Sequence, residues 1–168
     1  MGDRSDTAEN VEIIEFRPKY RAAFKEINHE WLEKYFVVEP YDKIVLNDPQ
    51  GQIIQHGGVV LFARLGSDIV GTCALLKHTE HKYELAKMGV LENCHGRGIG
   101  RKLISQAIKR ARALGADTLV LATSPRLEAA NRLYEKMGFK PADLDDIGPL
   151  PYARHTIVLS MDLTAAPA

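Results

Sequence analysis

Residues 83–101, YELAKMGVLENCHGRGIGR, decide the fold, because in this stretch an apolar strand passes through a glycine-rich turn into a helix. The turn alternates glycine with other residues, as Gly96, Arg97, Gly98, Ile99 and Gly100. A backbone without side chains lets a bulky anion approach, and the helix that follows directs its free N–H groups at that anion. Arg101 adds a cation that can pair with phosphate oxygens. The turn therefore predicts a phosphate-binding site.

Two common phosphate-binding loops do not fit this turn. A Walker loop requires Gly-Lys followed by Ser or Thr, whereas Gly100 is followed by Arg101, Lys102 and Leu103. A dinucleotide-binding loop requires the spacing G-x-G-x-x-G, whereas the spacing here is G-x-G-x-G. The sequence thus argues against both of these nucleotide-binding loops.

The residues after the turn predict a strand-helix-strand unit. Residues 98–114 place apolar side chains on one face of a helix, and Gly115 predicts its end. Residues 118–122 contain an apolar run without polar alternation, which is typical of a buried strand. A second helix is predicted over residues 127–137 and ends at Gly138. The order strand, helix, strand predicts a βαβ crossover.

The rest of the chain fits the same α/β class. Patterns of apolar and turn residues predict strands over 11–16, 58–65, 69–76 and 154–161, helices over 20–35 and 39–46, a turn at 47–51 and a loop over 141–151. One domain over residues 11–163 accounts for the chain, between flexible ends at 1–10 and 164–168.

The composition argues against several partners. The chain has 168 residues with 22 basic and 22 acidic side chains, so no global charge favours nucleic acid or an anionic membrane. Cys73 and Cys94 are too few for a disulfide framework, and the histidines lack ligand spacing, so no metal is expected. The chain has no long apolar run and no recognisable targeting segment, which predicts a cytoplasmic protein without membrane contact.

Residues 95–100, HGRGIG, resemble the signature loop of the GNAT acyltransferases, the family that uses acetyl-CoA to acylate amines. That loop reads Gln or Arg, two residues, Gly, one residue, and Gly or Ala, and only His95 departs from it. Residues 131–139, NRLYEKMGF, are similar to the family's LYxKxGF segment. The resemblance extends over residues 11–163. It implies a mixed central sheet of six to seven strands flanked by about four helices, with acetyl-CoA as the acyl donor and no metal.

The resemblance also implies a site for the acyl donor. In the family, the loop holds the anionic part of CoA, and the backbone of the preceding strand pairs with the pantetheine arm and could hold the oxyanion. Carried over by position, the site comprises Met88, Gly89, Val90, His95, Gly96, Arg97, Gly98, Ile99, Gly100, Arg101 and Thr123. Many relatives have Asn seven residues before their tyrosine, where this chain has Leu127. That contact is therefore either moved to Thr123 or Ser124, or absent.

Glu84 is the candidate base, because several relatives carry a glutamate at this spacing from the loop. Strand alternation predicts that it shares one face with three residues, Ala86, Met88 and Val90. The alternative is that Glu84 only pairs with Lys82 or Lys87 at the surface of the sheet.

Tyr134 is the candidate acid, because it occupies the tyrosine position of the LYxKxGF-like segment. A phenol can protonate the thiolate that leaves a thioester. The alternative is an aromatic side chain that fills the core between Leu133 and Met137.

The acceptor site is implied by the helical segment after the first strand, which in the family contributes to the acceptor pocket. The resemblance places Glu30, Trp31 and Tyr35 there. The acids of this segment, Glu30, Glu33, Glu39 and Asp42, favour a small cationic or zwitterionic amine, with a solvated acidic face as the alternative for each. Tyr152, Arg154 and His155 are expected at the surface, and the border of the acceptor site is their alternative place.

The sequence thus predicts an N-acetyltransferase that passes an acetyl group directly to the primary amine of a small molecule in a ternary complex. Two alternatives stay open at this point. The acceptor could be a protein N-terminus or lysine, or the chain could be an acyl-CoA-binding sensor without turnover. A monomer and a homodimer both agree with the sequence.

Overall fold

The chain folds around one mixed β-sheet. In the computed structural model, which describes residues 10–154 and 156–164, the strands are β1 (Val11–Glu15), β2 (Val59–Leu65), β3 (Asp68–Lys77), β4 (Lys82–Val90), β5 (Thr118–Thr123), β6 (Lys140–Ala142) and β7 (Ile157–Asp162). The α-helices are α1 (Arg21–Tyr35), α2 (Pro40–Asn47), α3 (Pro49–Gln52), α4 (Ile99–Ala113) and α5 (Glu128–Met137). The predicted α/β class is confirmed. The predicted flexible ends fall almost entirely on residues outside the described ranges.

The strand order is β1-β2-β3-β4-β5-β7-β6, and every neighbouring pair is antiparallel except β4 and β5. Helix α4 connects this parallel pair, because parallel strands cannot be joined by a tight turn. The predicted βαβ crossover is therefore confirmed. Strands β2 and β3 form an antiparallel hairpin.

Helices cover both faces of the sheet. On one face, α4 buries an apolar stripe that includes Leu103 and Ala107. On the other face, α1 and α2 contribute Phe24 and Leu46 to a buried cluster around Phe62 of β2. The sheet thus separates two hydrophobic layers.

Two short elements differ from the prediction. The predicted turn at 47–51 contains the single helical turn α3, because Pro49 begins it and the Asp48 carboxylate accepts a hydrogen bond from the Gly51 N–H (Oδ1–N 3.0 Å). The predicted loop at 141–151 overlaps β6, a three-residue strand that pairs with β7. Both elements are too short for apolar periodicity to detect.

Strand β4 contains a β-bulge at Lys87. Thr72 of β3 pairs with Gly89, and Ala74 pairs with Ala86, so β4 has one more residue than β3 between these two pairs. Lys87 has a φ of 51° and is the one non-glycine residue with a positive φ in the described chain. The bulge is therefore built around a lysine in the left-handed region.

The bulge reverses the alternation of side chains along β4. Glu84 and Ala86 line a cavity on the face covered by α1 and α2. Met88 and Val90 pack against the hydrophobic core on the face covered by α4. The prediction that all four share one face is wrong, because strict alternation assumes a regular strand.

Candidate active site

Strands β4 and β5 separate partway along their length. They pair only from Lys82↔Thr118 to Glu84↔Val120, although β4 continues to Val90. Beyond Glu84, no described strand pairs with β4 on that side. This part of β4, here called the open edge, is therefore available to an extended ligand that pairs with it as a strand would.

The glycine-rich turn lies directly beyond the open edge. Gly96 and Gly98 have φ values of 78° and 79°, a region that favours glycine, and α4 begins at Ile99. His95 Nε2 donates a hydrogen bond to the Val90 carbonyl oxygen at 2.7 Å. His95 thus ties the turn to the end of β4 through its ring. The first N–H groups of α4 have no partner within the helix and can bind an anion.

Two glycines of the predicted donor site set distances between elements. A Cβ atom on Gly100 would lie 3.3 Å from Leu133 Cδ2, so its absence lets α4 approach α5. A Cβ atom on Gly89 would lie 2.7 Å from Trp31 Cδ1, so its absence lets the indole lie against β4. Both contacts hold helices close to the open edge.

The cations around the turn are placed differently from one another. Arg101, which directly follows the turn, is exposed, and Arg97, which lies within the turn, is half-buried. Lys102 donates a hydrogen bond to the Val11 carbonyl oxygen of β1. Arg101 is therefore the exposed candidate for phosphate contact, and Arg97 is a candidate by its position in the turn.

A cavity of about 560 Å³ lies beside the open edge, on the face covered by α1 and α2. Its wall includes Trp31, Tyr41, His78, Glu84, Ala86, Lys87, Thr123, Ser124, Tyr152 and Arg154. Helices α1 and α2, the end of β5 and the loop between β6 and β7 enclose it. The volume suits a small molecule.

The three predicted acceptor-binding residues do not all reach the cavity. Trp31 lines it, whereas Glu30 and Tyr35 do not. The Glu30 carboxylate accepts a hydrogen bond from the Glu92 N–H at 2.7 Å. The Tyr35 carbonyl oxygen accepts one from Arg126 Nη1 at 2.6 Å. These two contacts connect α1 to neighbouring segments.

Glu84 lies in the cavity next to His78. Glu84 Oε1 is 2.7 Å from His78 Nε2, and the two side chains are 15% and 28% exposed. The alternative pairing with Lys82 or Lys87 is not seen, since the hydrogen bonds described for those ammonium groups go to other residues. Sequence reasoning missed His78, although the pairing of Leu76 with Glu84 brings the residues after β3 near this carboxylate.

A buried ionic network closes one side of the cavity. Asp42 is fully buried and accepts hydrogen bonds from Lys87 Nζ at 3.1 Å and from Arg154 Nη1 and Nη2 at 3.0 and 2.8 Å. Glu39 Oε2 also binds Arg154 Nη1 at 3.0 Å. Burial opposes ionisation of Asp42, but these cations and the Glu39 N–H hold the pKa of its carboxyl group below the usual value. Burial lowers the pKa of the Lys87 ammonium, and Asp42 opposes that shift.

The acids of the helical segment are therefore engaged within the protein. Glu39 and Asp42 belong to the network, and Glu33 Oε1 lies 3.1 Å from His29 Nδ1. None of these three acids lines the cavity. They do not support the cationic acceptor that the sequence favoured, because their charge is directed at side chains of the chain itself.

Tyr152 and Arg154 line the cavity, although the sequence placed them at the surface. Tyr152 Oη accepts a hydrogen bond from Lys87 Nζ at 2.7 Å, and the Arg154 guanidinium lies 4.0 Å from the centre of the Tyr152 ring. Burial raises the pKa of Tyr152, so its hydroxyl stays protonated. Their position depends on the loop before β7, where no periodic pattern exists to predict it. His155 lies outside the described residues.

Tyr134 lies on the opposite face of the sheet from the cavity. It is 8% exposed and belongs to the hydrophobic core beside α4, where its ring contacts Phe139 edge-on at 5.9 Å. Burial raises the pKa of its hydroxyl above the usual value. Tyr134 therefore lies in the core on the face covered by α4, whereas Glu84 lines the cavity on the other face.

Thr123 and Ser124 form a fixed corner at the end of β5. Thr123 Oγ1 donates a hydrogen bond to Asn131 Oδ1 at 2.8 Å, and Asn131 Nδ2 donates one to the Ser124 carbonyl oxygen at 2.9 Å. Asn131 thus joins α5 to this corner. Thr123 keeps its place beside the cavity, with lone pairs that can accept a hydrogen bond from a ligand.

Several other site types find no support in the described residues. They contain no group of three His, Cys, Asp or Glu side chains that could hold a metal ion. They also contain no helix long and apolar enough to cross a membrane. Cys73 and Cys94 are buried free thiols, and burial raises the pKa of Cys73 to about 12. Cys73 is therefore protonated near neutral pH and is a poor nucleophile.

A model of the acetyltransferase (GNAT) family matches residues 18–139, a range that includes the open edge, the glycine-rich turn and the Tyr134 segment. The chain belongs to this family. It is accordingly an acyltransferase by family. The match includes the signature turn from which the sequence predicted this family.

Known proteins agree with this assignment. The uncharacterised N-acetyltransferase YvbK of Bacillus subtilis (strain 168) is 32% identical over 110 residues, which cover 64% of this chain and 71% of that protein. A GNAT-family acetyltransferase from Staphylococcus aureus Mu50 has a TM-score of 0.81 at 22% identity, over 91% of this chain and 99% of that chain. YncA of Salmonella typhimurium, solved with its cofactor acetyl-CoA, has a TM-score of 0.71 at 20% identity, over 95% and 97% of the two chains. The two structures confirm the fold.

Replacing Asp42 by Asn is expected to destabilise the protein, because it removes the carboxylate that Lys87 and Arg154 share. Removing one partner from a buried ion pair costs about 3–5 kcal/mol. Urea unfolding followed by circular dichroism measures the free energy of unfolding. Glu33→Gln, an exposed acid of the same helical segment, is the control and should resemble wild type. Equal stability of Asp42→Asn and Glu33→Gln would contradict a stabilising role for the network.

Proposed function

We propose that the protein is an acetyl-CoA-dependent N-acetyltransferase that passes the acetyl group directly to the primary amine of a small molecule in a ternary complex. One observation carries this proposal: the open edge of β4 runs from the cavity that contains Glu84 to the glycine-rich turn. An extended donor with an anionic end and a reactive thioester fits that path. The acetyl-CoA bound by the Salmonella neighbour supports this choice of donor.

The donor site would rely on backbone groups. The N–H groups of the turn and of the start of α4 bind the pyrophosphate, and Arg97 and Arg101 are near enough in sequence to add charge. The open edge pairs with the pantetheine arm. When bound, acetyl-CoA supplies an acetyl group activated as a thioester. The bulge interrupts the regular ladder beside Met88, where backbone N–H groups can stabilise negative charge on the thioester oxygen.

Glu84 would act as the base. An amine with a pKa near ~10 arrives protonated and must lose a proton before it can attack a carbonyl carbon. Glu84 lies in the cavity and takes that proton, directly or through water. His78, which contacts Glu84 and is more exposed, then passes the proton to solvent. The pair thus connects a partly enclosed carboxylate to bulk water.

Tyr134 would act as the acid. As the new C–N bond forms and the C–S bond breaks, the sulfur needs a proton, and a buried phenol with a raised pKa holds one at neutral pH. Tyr134 and Glu84 belong to opposite faces of the sheet, so this assignment requires the thioester to lie at the gap between β4 and β5, where both faces can be reached. This arrangement separates the group that accepts a proton from the group that donates one.

The size of the cavity favours a small molecule over a protein acceptor. The loop before β7 and helices α1 and α2 contribute to its wall, and its volume of about 560 Å³ matches that of small-molecule sites. A thiol-release assay with purified protein, acetyl-CoA and a panel of small amines and peptides tests this choice. Release with peptides alone would favour the protein acceptor. Binding of acetyl-CoA without any release would favour a sensor.

Gly98→Ala is expected to weaken acetyl-CoA binding about tenfold or more, because a side chain at a φ of 79° strains the turn that must approach the pyrophosphate. Isothermal titration calorimetry measures the affinity. Gly115→Ala is the matched control, since Gly115 has a φ of 90° with open space around it at the far end of α4. Equal affinities for the two variants would show that backbone strain at the turn is irrelevant to donor binding.

Glu84→Gln is expected to lower kcat/KM for the amine by about 100-fold or more with little effect on acetyl-CoA affinity, because the amide cannot accept the proton. His78→Gln should have a smaller effect, since it removes the ring that contacts Glu84 but leaves the carboxylate in place. Stopped-time thiol-release assays across pH provide both profiles. Wild-type rates for Glu84→Gln at every pH would remove Glu84 from the mechanism.

Tyr134→Phe keeps the ring in the core and removes only the hydroxyl, so the fold and acetyl-CoA binding should persist. If the hydroxyl protonates the leaving thiolate, kcat falls about 10- to 1000-fold. The fall should shrink with an acyl donor whose thiol has a lower pKa, because a better leaving group needs less protonation. The measurement is kcat for both proteins with two such donors under conditions where chemistry limits the rate. Unchanged kcat would assign Tyr134 to packing alone.

A further inference from the structure

Two hydrogen-bond donors line the cavity together with Glu84. Lys87 Nζ and Tyr152 Oη lie 2.7 Å apart, and both residues belong to the cavity wall. Lys87 reaches the wall because the bulge places its side chain beside Ala86 instead of on the opposite face. The cavity wall therefore contains one carboxylate, Glu84, and two hydrogen-bond donors. Glu84 and Lys87 lie on β4, and Tyr152 lies on the loop before β7.

These donors are only partly used inside the protein. An ammonium group has three N–H donors, and Lys87 directs two of them at Asp42 Oδ1 and Tyr152 Oη. The Tyr152 hydroxyl accepts from Lys87 and keeps its own proton, for which the described part of the chain provides no acceptor. One donor on each residue is therefore available to a ligand in the cavity.

The acids that neutralise this wall do not line the cavity. Asp42 is fully buried, and neither it nor Glu39 contributes to the cavity surface. Both acids hold Arg154, which lies over the Tyr152 ring. A ligand therefore meets a lysine and a phenol, with their counter-ions behind them. A second ammonium group on the acceptor would be repelled here, whereas a carboxylate would accept from both donors.

The backbone at Lys87 strengthens this interpretation. A φ of 51° is strained for a residue with a side chain and unstrained for glycine. The chain nevertheless carries lysine at this position, with its side chain 6% exposed and its ammonium bound on two sides. Strained residues of this kind persist where the surroundings hold them, and they are frequent at ligand-binding sites.

We propose that Lys87 and Tyr152 bind a carboxylate of the acceptor, so that the acceptor is a small amino acid or a similar compact amino-carboxylate. This inference rests on the proposed function, because the amine must reach Glu84. Glu84 and Lys87 are three positions apart on β4, at most roughly 10 Å along a strand, and their side chains share one cavity. A compact molecule can therefore place its amine at Glu84 and its carboxylate at Lys87.

The test compares acceptors that differ only at the carboxylate. Thiol release from acetyl-CoA is measured for glycine, β-alanine, γ-aminobutyrate, aspartate and lysine, for the carboxamide of each, and for the amines that lack the carboxyl group. For the acids that are acetylated, kcat/KM should exceed that of the matched carboxamide by about 10- to 100-fold, mainly through KM. Diamines without a carboxylate should be poor acceptors.

Two variants assign this preference to the proposed residues. Lys87→Met and Tyr152→Phe should each reduce the acid-to-carboxamide ratio toward one, and Tyr152→Phe tests the site with the smaller risk to the fold, because it removes a single hydroxyl. Lys43→Met, an exposed lysine of α2 outside the cavity, is the matched control and should keep the wild-type ratio. Circular dichroism verifies that each variant is folded.

The outcomes separate this inference from the function on which it rests. Acetylation of acids and carboxamides with equal kcat/KM overturns the carboxylate site and leaves the N-acetyltransferase proposal intact. A preference for acids that persists in folded Lys87→Met and Tyr152→Phe overturns the assignment to these residues. Failure to release thiol with every amine overturns the proposed function and this site together.

Discussion

The early separation of β4 from β5 is the constraint on which the rest of the site depends. The two strands pair over three residues of β4, ending at Glu84, and β4 then continues with one edge open. An unpaired strand edge inside a domain exposes backbone donors and acceptors that need partners. The glycine-rich turn at one end of this edge and the cavity at the other give an extended donor a continuous path.

The bulge at Lys87 and the ion pairs around Asp42 maintain the cavity beside that gap. Because of the bulge, the Lys87 side chain lies on the cavity face of β4, whereas in a regular strand it would lie on the opposite face. Asp42 provides the buried counter-charge that this lysine requires. Arg154 joins the loop before β7 to α2 through the same carboxylate. Asp42 therefore connects three segments of the chain beside the cavity, namely α2, β4 and the loop before β7. Lys87 and Arg154 thus line the cavity, whereas Asp42 and Glu39, the acids that pair with them, do not.

Much of the fold could be predicted from local patterns, because helices and strands of ordinary length carry a periodic signal. The apolar stripe of α4, the unalternating run of β5 and the glycines before Ile99 led to the crossover and to the family. The bulge could not be predicted this way, because the extra residue of β4 is apparent only from its pairing with β3. It therefore moved Met88 to the opposite face from the one expected.

The parts of the site that escaped prediction are those formed by residues far apart in sequence. His78 reaches Glu84 only through the register of β3 and β4, and Tyr152 and Arg154 reach Lys87 through a loop without periodicity. The acids of the helical segment after β1 suggested a site for a cationic acceptor, because the sequence does not show which side chain neutralises each carboxylate. Asp42 has its partners 45 and 112 residues away. Pairing at such distances is decided by tertiary packing.

The central claim is that the open edge of β4 is the binding surface for acetyl-CoA. Backbone amide hydrogen exchange, followed by nuclear magnetic resonance with and without acetyl-CoA, tests it most directly, because pairing with a ligand protects the amides involved. The account predicts that acetyl-CoA slows exchange at Met88–Val90 and at the turn from Gly96 to Gly100, and leaves β1 unchanged. Unchanged exchange along β4 under saturating acetyl-CoA, with protection elsewhere, would contradict it.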